Sequence, residues 1–290
     1  MQFEDQSVQR EYEYWCRQIE HDDYKGVESV GIYDVLRAHF LLADYFSAIG
    51  EGLGGAGPRD LNLLHSALFR QFVGYGGKAK WKGLYELTAT VFFGLIKNHP
   101  FHDANKRTAL LTVLAHLYAR RKQPTVSTKE LEDLTVRVAE GELRKYSQFE
   151  RFRAEDEPEI AFLAWFLRRN TRTVDTRHYL ITYRELDRLL GGFGCRLANP
   201  DNNAIDVMKM VEESYGFFGH KKRMVEKRVA HVGFPGWNTE VSRRDMQEIR
   251  RATKLSNEDG VDSEAFFRGA DSIVGLIASY SPLLRRLADK

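Results

Sequence analysis

Apolar residues recur at helical spacing through roughly the first 170 positions of the chain, and the period changes only beyond them. From Gly31 to Ala48 (GIYDVLRAHFLLADYFSA), Val35, Leu36, Phe40, Leu41, Leu42 and Phe46 are dense enough for a largely buried helix. Arg59 to Gln71 carries a stripe of Leu61, Leu64 and Leu68 that Phe72 extends. Gly83 to Lys97 (GLYELTATVFFGLIK) and Thr108 to Arg121 (TALLTVLAHLYARR) are apolar nearly all round, the pattern of helices central in a bundle. Thr128 to Lys145 predicts a further helix, with Thr128 as its cap and Leu131 and Leu134 facing in, and Ile160 to Arg169 predicts one more. Residues 1–25 are charged and aromatic, and the spacing of Tyr12, Tyr14, Trp15 and Tyr24 allows a short amphipathic helix packed on the body.

Glycines and polar runs separate these segments. Gly50 to Pro58 (GEGLGGAGP) is a loop. In FVGYGGKAKWKGLY, glycines break helix while Phe72, Val73, Tyr75 and Trp81 favour extended backbone, so a hairpin or flap is expected around Tyr75, Gly76, Gly77 and Trp81. An exposed strand of this kind can hold a peptide by main-chain pairing. Arg172 to Arg177 predicts a linker. Beyond it come a helix at Tyr183 to Leu190, short strands at Arg196 to Met208 and Lys227 to Gly233, a helix at Val241 to Lys254, and an amphipathic helical tail from Ser263 to Lys290. Helix, strands, helix indicates an α+β module. The expected organisation is therefore an N-terminal extension (1–25), a mainly α domain (26–171) and a C-terminal α+β domain (172–290).

Composition changes this picture little. With 290 residues and a net charge of +2, the chain can bury a sizeable core and shows no bias toward a polyanionic partner. Cys16 and Cys195 lie far apart, which fits a reducing compartment and excludes a disulfide scaffold. The polar start and the lack of a long apolar run lead to the expectation of a cytoplasmic protein without a membrane span.

The chemistry concentrates between the two most apolar helices, in His99-Pro100-Phe101-His102-Asp103-Ala104-Asn105-Lys106-Arg107-Thr108. The polar string ends one helix and opens another, with Asp103 or Asn105 as candidate cap. A helix start presents N–H groups and the positive end of a dipole, and Lys106 and Arg107 add two charges, which together make a phosphate site. His99 can move a proton and Asp103 can hold a divalent cation. Base, metal carboxylate and phosphate cradle within nine residues suggest phosphoryl or nucleotidyl transfer. The residue types also allow a solvated charged helix start, or a metal cluster of His99, His102 and Asp103.

The whole string resembles the Fic/Doc (Fido) family signature, His-x-Phe-x-Asp/Asn-Ala/Gly-Asn-Lys-Arg, and matches it at every specified position. VAEGEL, at 138–143, is similar to the closing helix of Doc-type domains. The resemblance implies a helical bundle with a target-docking flap over roughly residues 26–170. It further implies that His99 is the general base, that Asp103 binds Mg²⁺, that Asn105, Lys106 and Arg107 hold the phosphates of ATP, and that Phe101 anchors the loop. His102 stands at a variable position and is given no chemistry. Fic-type members transfer AMP, and their signature has glycine where this chain has Lys106 and a second arginine where it has Leu110. Doc-type (death-on-curing) members share the Ala-Asn-Lys-Arg form and pass on the γ-phosphate. The implied function is phosphorylation of a Ser/Thr hydroxyl on a cytosolic protein, such as a translation factor, by the toxin of a toxin–antitoxin pair restrained by a small antitoxin. An adenylyltransferase and a non-catalytic nucleotide-sensing or RNA-binding module are the rival readings.

Two further resemblances are narrower. Ser47-Ala48-Ile49-Gly50-Glu51-Gly52 fits the self-inhibiting Ser/Thr-x-x-x-Glu-Gly/Asn string of Fic proteins. The C-terminal module is similar to the HicA-type RNA-binding fold, but Asn202-Asn203-Ala204-Ile205 stands where its catalytic histidine would be. There the basic cluster His220-Lys221-Lys222-Arg223 with Lys227 and Arg228 suits contact with an RNA backbone or, balanced by Glu226 and acids elsewhere, a solvated loop.

Overall fold

The apolar stripes of the first half close into helices. A computed structural model of the chain describes residues 3–173, 180–215, 221–256, 259, 266, 267 and 272–288. The chain divides into two units, one of residues 1–176 with 280–290 and one of residues 177–279. The expected C-terminal module ran from 172 to 290, so the structure returns the last residues of the tail to the first unit.

The first unit is a helical bundle. Its helices are α1 (Gln6–Gln18), α2 (Ile32–Ala48), α3 (Leu61–Phe69), α4 (Leu84–Asn98), α5 (Asn105–Ala119), α6 (Thr128–Glu140) and α7 (Pro158–Arg169). α5 is the middle of the bundle, with every residue from Arg107 to Leu114 buried. It packs on α2 and α4, whose Leu36, Phe40, Phe46, Val91, Phe92 and Leu95 complete the core. α1 is tied to the body where the Asp44 carboxylate accepts from the Glu4 and Asp5 N–H groups (3.1 and 2.8 Å).

Several boundaries differ from the pattern reading, each for a local reason. α5 starts at Asn105 rather than Thr108, because Ala104 makes a left-handed turn (φ 61°) and the three charged or polar residues after it continue as helix. Neither Asp103 nor Asn105 caps it; the N-cap position is Ala104, with no side-chain cap. α6 is capped by Ser127, not Thr128, in a capping box with Glu130, and it stops at Glu140 because Gly141 turns left-handed (φ 75°). The proposed linker begins as structure. Lys122–Pro124 (β3) pairs antiparallel with Thr171–Thr173 (β4), while residues 174–177 lie outside the described residues.

The flap is a minimal hairpin. Gly74–Tyr75 (β1) pairs with Lys78–Ala79 (β2) around Gly76 and Gly77, whose φ of 58° and 74° suit a tight turn of the primed type. Tyr75 at its tip is 94% exposed.

The second unit follows the helix, strands, helix order. α8 (Tyr183–Gly191) precedes a three-stranded antiparallel sheet of β5 (Cys195–Asp201), β6 (Ala204–Tyr215) and β7 (Lys221–Gly233), then α9 (Arg243–Ala252). Residues 196–208 do not form one strand, because Asn202 and Asn203 take positive φ (46° and 60°) and turn the chain into a hairpin. Tyr183, Leu186, Leu190, Ile205, Val207, Val232 and Ile249 form its core. Helix α10 (Ser272–Arg286) follows. Among the described residues no helix is long and apolar enough to cross a membrane.

Candidate functional site

α4 and α5 hold the motif string between them as a short, heavily tied loop. His99 ends α4 in a left-handed conformation (φ 47°, ψ 56°), which turns the chain sharply and leaves the residue exposed. Phe101 plunges inward, 1% exposed, and stacks on His39 of α2 with ring centroids 4.0 Å apart. The Asn105 amide folds back on Phe101, accepting from its N–H and donating to its C=O (2.9 Å each). That clamp leaves one amide hydrogen of Asn105 for a ligand.

His39 is the hub beneath the loop. Its Nε2 accepts from the Gly57 N–H (2.9 Å), so the ring proton sits on Nδ1 and is donated to Thr108 Oγ1 (2.9 Å). Complete burial pushes its pKa down to about 3, outweighing the Asp103 charge, which acts in the opposite direction. A neutral histidine thus joins α2, the glycine-rich loop and α5. Nothing local in the sequence marks His39, because its contacts come from residues 18 and 69 positions away.

The glycine-rich segment 50–58 is the second wall of the site rather than a bystander. Its Gly54 N–H donates to Asp103 (2.9 Å), and its end pairs with the motif loop, where the Arg59 N–H donates to the Pro100 carbonyl (2.7 Å) and Pro58 bridges Phe101. Gly54 also approaches Asp103 within van der Waals range of an added Cβ (3.6 Å).

These walls enclose a cleft of about 450 Å³ lined by Phe46, Glu51, Gly52, Asp103, Arg107, Arg285 and Ala288. Arg107 is 5% exposed, donates to Asp103 (3.2 Å) and lies over the Phe46 ring. Partial burial pushes the Asp103 carboxyl up, but the Gly54 and Ala104 N–H groups and the Arg107 guanidinium outweigh it and hold the group below the usual carboxylate range. Asp103 is therefore an anion facing the cleft. Among the described residues no group of three or more His, Cys, Asp or Glu side chains is set to hold a metal, which removes the His99–His102–Asp103 cluster as a site. One carboxylate at a phosphate-sized cleft still fits Mg²⁺, which commonly takes one or two carboxylates and fills its remaining positions with water and phosphate oxygens.

His99 and Lys106 do not line this cleft. His99 closes α4, and Lys106 lies in the first turn of α5. Loss of water, then the charges of Arg59, Lys106 and Lys97, push the His99 pKa below its ordinary value. The imidazole is thus neutral and able to accept a proton at physiological pH. The flap leads into the start of α4. Lys80, just after β2, pairs with Asp156 and with Glu157 (3.4 Å) at the start of α7. Arg168 in the last turn of α7 meets Glu86 in the first turn of α4 (3.9 Å), and the Lys82 N–H, between the flap and α4, donates to the same Glu86 (2.6 Å). Trp81 carries Lys80 over its ring at 5.0 Å.

The inhibitory-type string ends outside a helix. α2 stops at Ala48, and the Glu51 N–H donates to the Phe46 carbonyl (2.8 Å) around Gly50 (φ 77°). Glu51 is paired with Arg285 (3.0 Å). Sequence reading gave Arg285 no role in the site, and nothing local to the tail marks it. In the second unit, Arg223 and Arg228 pair with Glu213 (2.8 Å) and Asp206 (3.3 Å), and His220 lies outside the described residues.

Comparison with known proteins matches the part of the chain that carries the motif loop and the glycine-rich wall, and leaves Arg285 and Ala288 outside it. Residues 30–117 match the family model described as Fic/DOC family. Protein kinase Doc of Escherichia phage P1 is 46% identical over 61 residues, 21% of this chain and 47% of that protein, so the chain spans about half the length of that relative. No solved structure matches the chain significantly. The family match stops at residue 117 and lends nothing to the HicA resemblance of the second unit.

Proposed function

We propose, for a chain whose residues 30–117 belong to the Fic/DOC family, that it phosphorylates a Ser or Thr hydroxyl of another protein using ATP. The observation that carries this reading is a cleft holding Arg107 and Asp103 at the start of one buried helix, with an exposed His99, its pKa held below the ordinary value, at the end of the helix before it. The name of the phage relative, a protein kinase, supports phosphate rather than AMP as the group passed on. The target hydroxyl, held beside the flap by Tyr75, Gly76, Gly77 and Trp81, gives its proton to the His99 imidazole. Its oxygen bonds to the γ-phosphorus, the bond from that phosphorus to the β–γ bridging oxygen breaks, and ADP leaves with the electron pair. General-base help of this kind supplies about 100- to 10,000-fold.

Arg107 suits a bidentate grip on phosphate, and its burial fixes the direction of the grip. Lys106 in the first turn of α5 adds a compact charge, and Asn105 offers its remaining amide hydrogen. Asp103 would hold Mg²⁺ together with phosphate oxygens, and the ion would supply charge neutralisation on the nucleotide. Phe101 and His39 keep the loop in place for all of them. Within this reading the protein acts as the toxin of a toxin–antitoxin pair, with a translation factor as target class and a small antitoxin as partner.

The test uses the full chain with ATP labelled at the γ- or α-phosphate and a lysate as target source. Label from the γ position, lost in His99→Ala, is the expected result. Label from the α position alone would replace phosphorylation by AMP transfer. Incorporation undiminished by His99→Ala would overturn the base assignment.

A further inference from the structure

We infer that Arg285, from the far end of the chain, is a phosphate-binding residue of the cleft, working as a second guanidinium opposite Arg107. The inference rests on the nucleotide reading of that cleft and names a ligand that the motif itself does not contain.

The cleft walls carry two carboxylates and two guanidiniums: Glu51, Asp103, Arg107 and Arg285. Without ligand they are paired in two couples, Arg107 with Asp103 (3.2 Å) and Arg285 with Glu51 (3.0 Å). The couples differ in kind. Arg107 is nearly buried and fixed from its own helix. Arg285 and Glu51 are each about half exposed (50% and 47%), so their ion pair sits in water, where such pairs contribute about 0–1 kcal/mol and exchange readily. A multiply charged phosphate chain entering the cleft offers Arg285 a stronger, bidentate acceptor than one carboxylate does.

The backbone that carries Arg285 is not loosely placed. Leu283, Leu284 and Leu287 around it are buried, and the next residue, Arg286, is bonded to Glu132 of α6 (2.5 Å), whose side chain is almost wholly buried. The last turns of α10 are therefore seated on the first unit, and only the Arg285 side chain is free to change partner between Glu51 and a ligand. Glu51 then acts as the resident counter-ion that a phosphate displaces.

The experiment measures binding of ATP and of adenosine to the full chain by isothermal titration calorimetry, for wild type, Arg285→Ala, Arg285→Lys, Glu51→Gln and Arg107→Ala. Circular dichroism melts verify that each variant is folded. Arg285→Ala is expected to weaken ATP about tenfold, the scale of one partly exposed charged hydrogen bond, and to leave adenosine unchanged. Arg285→Lys should recover part of the loss, and Glu51→Gln should tighten ATP. If Arg107→Ala weakens ATP while Arg285→Ala does not, the inference on Arg285 fails and the nucleotide reading stands. Tighter ATP binding in Arg285→Ala would also overturn it, by making the tail an obstruction. If wild type and Arg107→Ala bind ATP no better than adenosine, the nucleotide reading falls and takes the inference with it.

Discussion

His99 shows how far one residue's surroundings set its chemistry. Partial loss of water and three nearby cations, Arg59, Lys106 and Lys97, all disfavour the imidazolium. Protonation therefore sets in below the ordinary histidine value of about 6.5. Titration of the His99 ring followed by NMR should give a midpoint below that value, and Lys106→Met should move it upward by removing one of the cations. A midpoint at or above 6.5 in the wild type would contradict the electrostatics described here. The linkage has a definite sign. Because the folded-state value is lowered, His99 contributes stability that is present above the unfolded value and is lost as pH falls through that range. At this scale the sequence was most legible. The order of residues from His99 to Arg107 is local, and the match to residues 30–117 covers it. What the string did not reveal is that the Asn105 amide is engaged with the Phe101 main chain, because a side chain's partners depend on how the loop closes.

Among the elements, the joint between α2, the glycine-rich loop and α5 decides whether the motif loop keeps its shape. His39 makes that joint as a neutral ring accepting from Gly57 and donating to Thr108, under the Phe101 face. Burial pushes its pKa down to about 3, while the unfolded chain protonates near the ordinary value. Below about pH 6.5 the unfolded state takes up a proton that the folded state refuses, so stability falls by about 1.4 kcal/mol per pH unit from this one group. His116, pushed to about 4 first by burial and then by Arg120, acts in the same direction over a shorter range. Urea unfolding at pH 7 and pH 5 should show this loss, and His39→Gln, less stable at pH 7, should lose less between the two. An equal loss in both proteins would mean that His39 is not the group responsible. The helices themselves were readable from apolar spacing because each stripe lies within one element. The loop at 50–58 was read only as a break, because glycines advertise freedom and not the partners that the backbone finds. The turn at Asn202–Asn203, by contrast, is written in the sequence: Asn199 to Asn203 (NPDNN) is a run of turn formers that one strand over 196–208 does not fit.

For the whole molecule, the least legible feature was the return of the tail. Amphipathic spacing after Ser263 suits a helix that serves in dimerisation or closes its own domain, but cannot say which surface receives it. Instead residues 280–290 belong with the unit that begins the chain. Leu283, Leu284 and Leu287 are at most 1% exposed, and Arg286 neutralises the buried Glu132 of α6. Removing these residues exposes the apolar surface they cover, at about 2 kcal/mol for each leucine, and leaves Glu132 as a buried carboxylate without that cation. A chain ended at Ser279 should therefore lose stability specifically in the first unit. Hydrogen exchange read unit by unit is the measurement that separates this from general damage. Amides of α6 and of the last turn of α2 should lose protection, while those of β5, β6 and β7, whose core comes from residues 181–267, should keep theirs. Equal loss in both units would show that the tail supports the fold at large, and unchanged protection in α6 would show that its leucines and Arg286 contribute nothing there. Restoring a cation near Glu132 would not replace the tail. It is the three leucines that hold the last turn in place, and the side chain of Arg285 can reach the cleft only from a backbone they have already fixed.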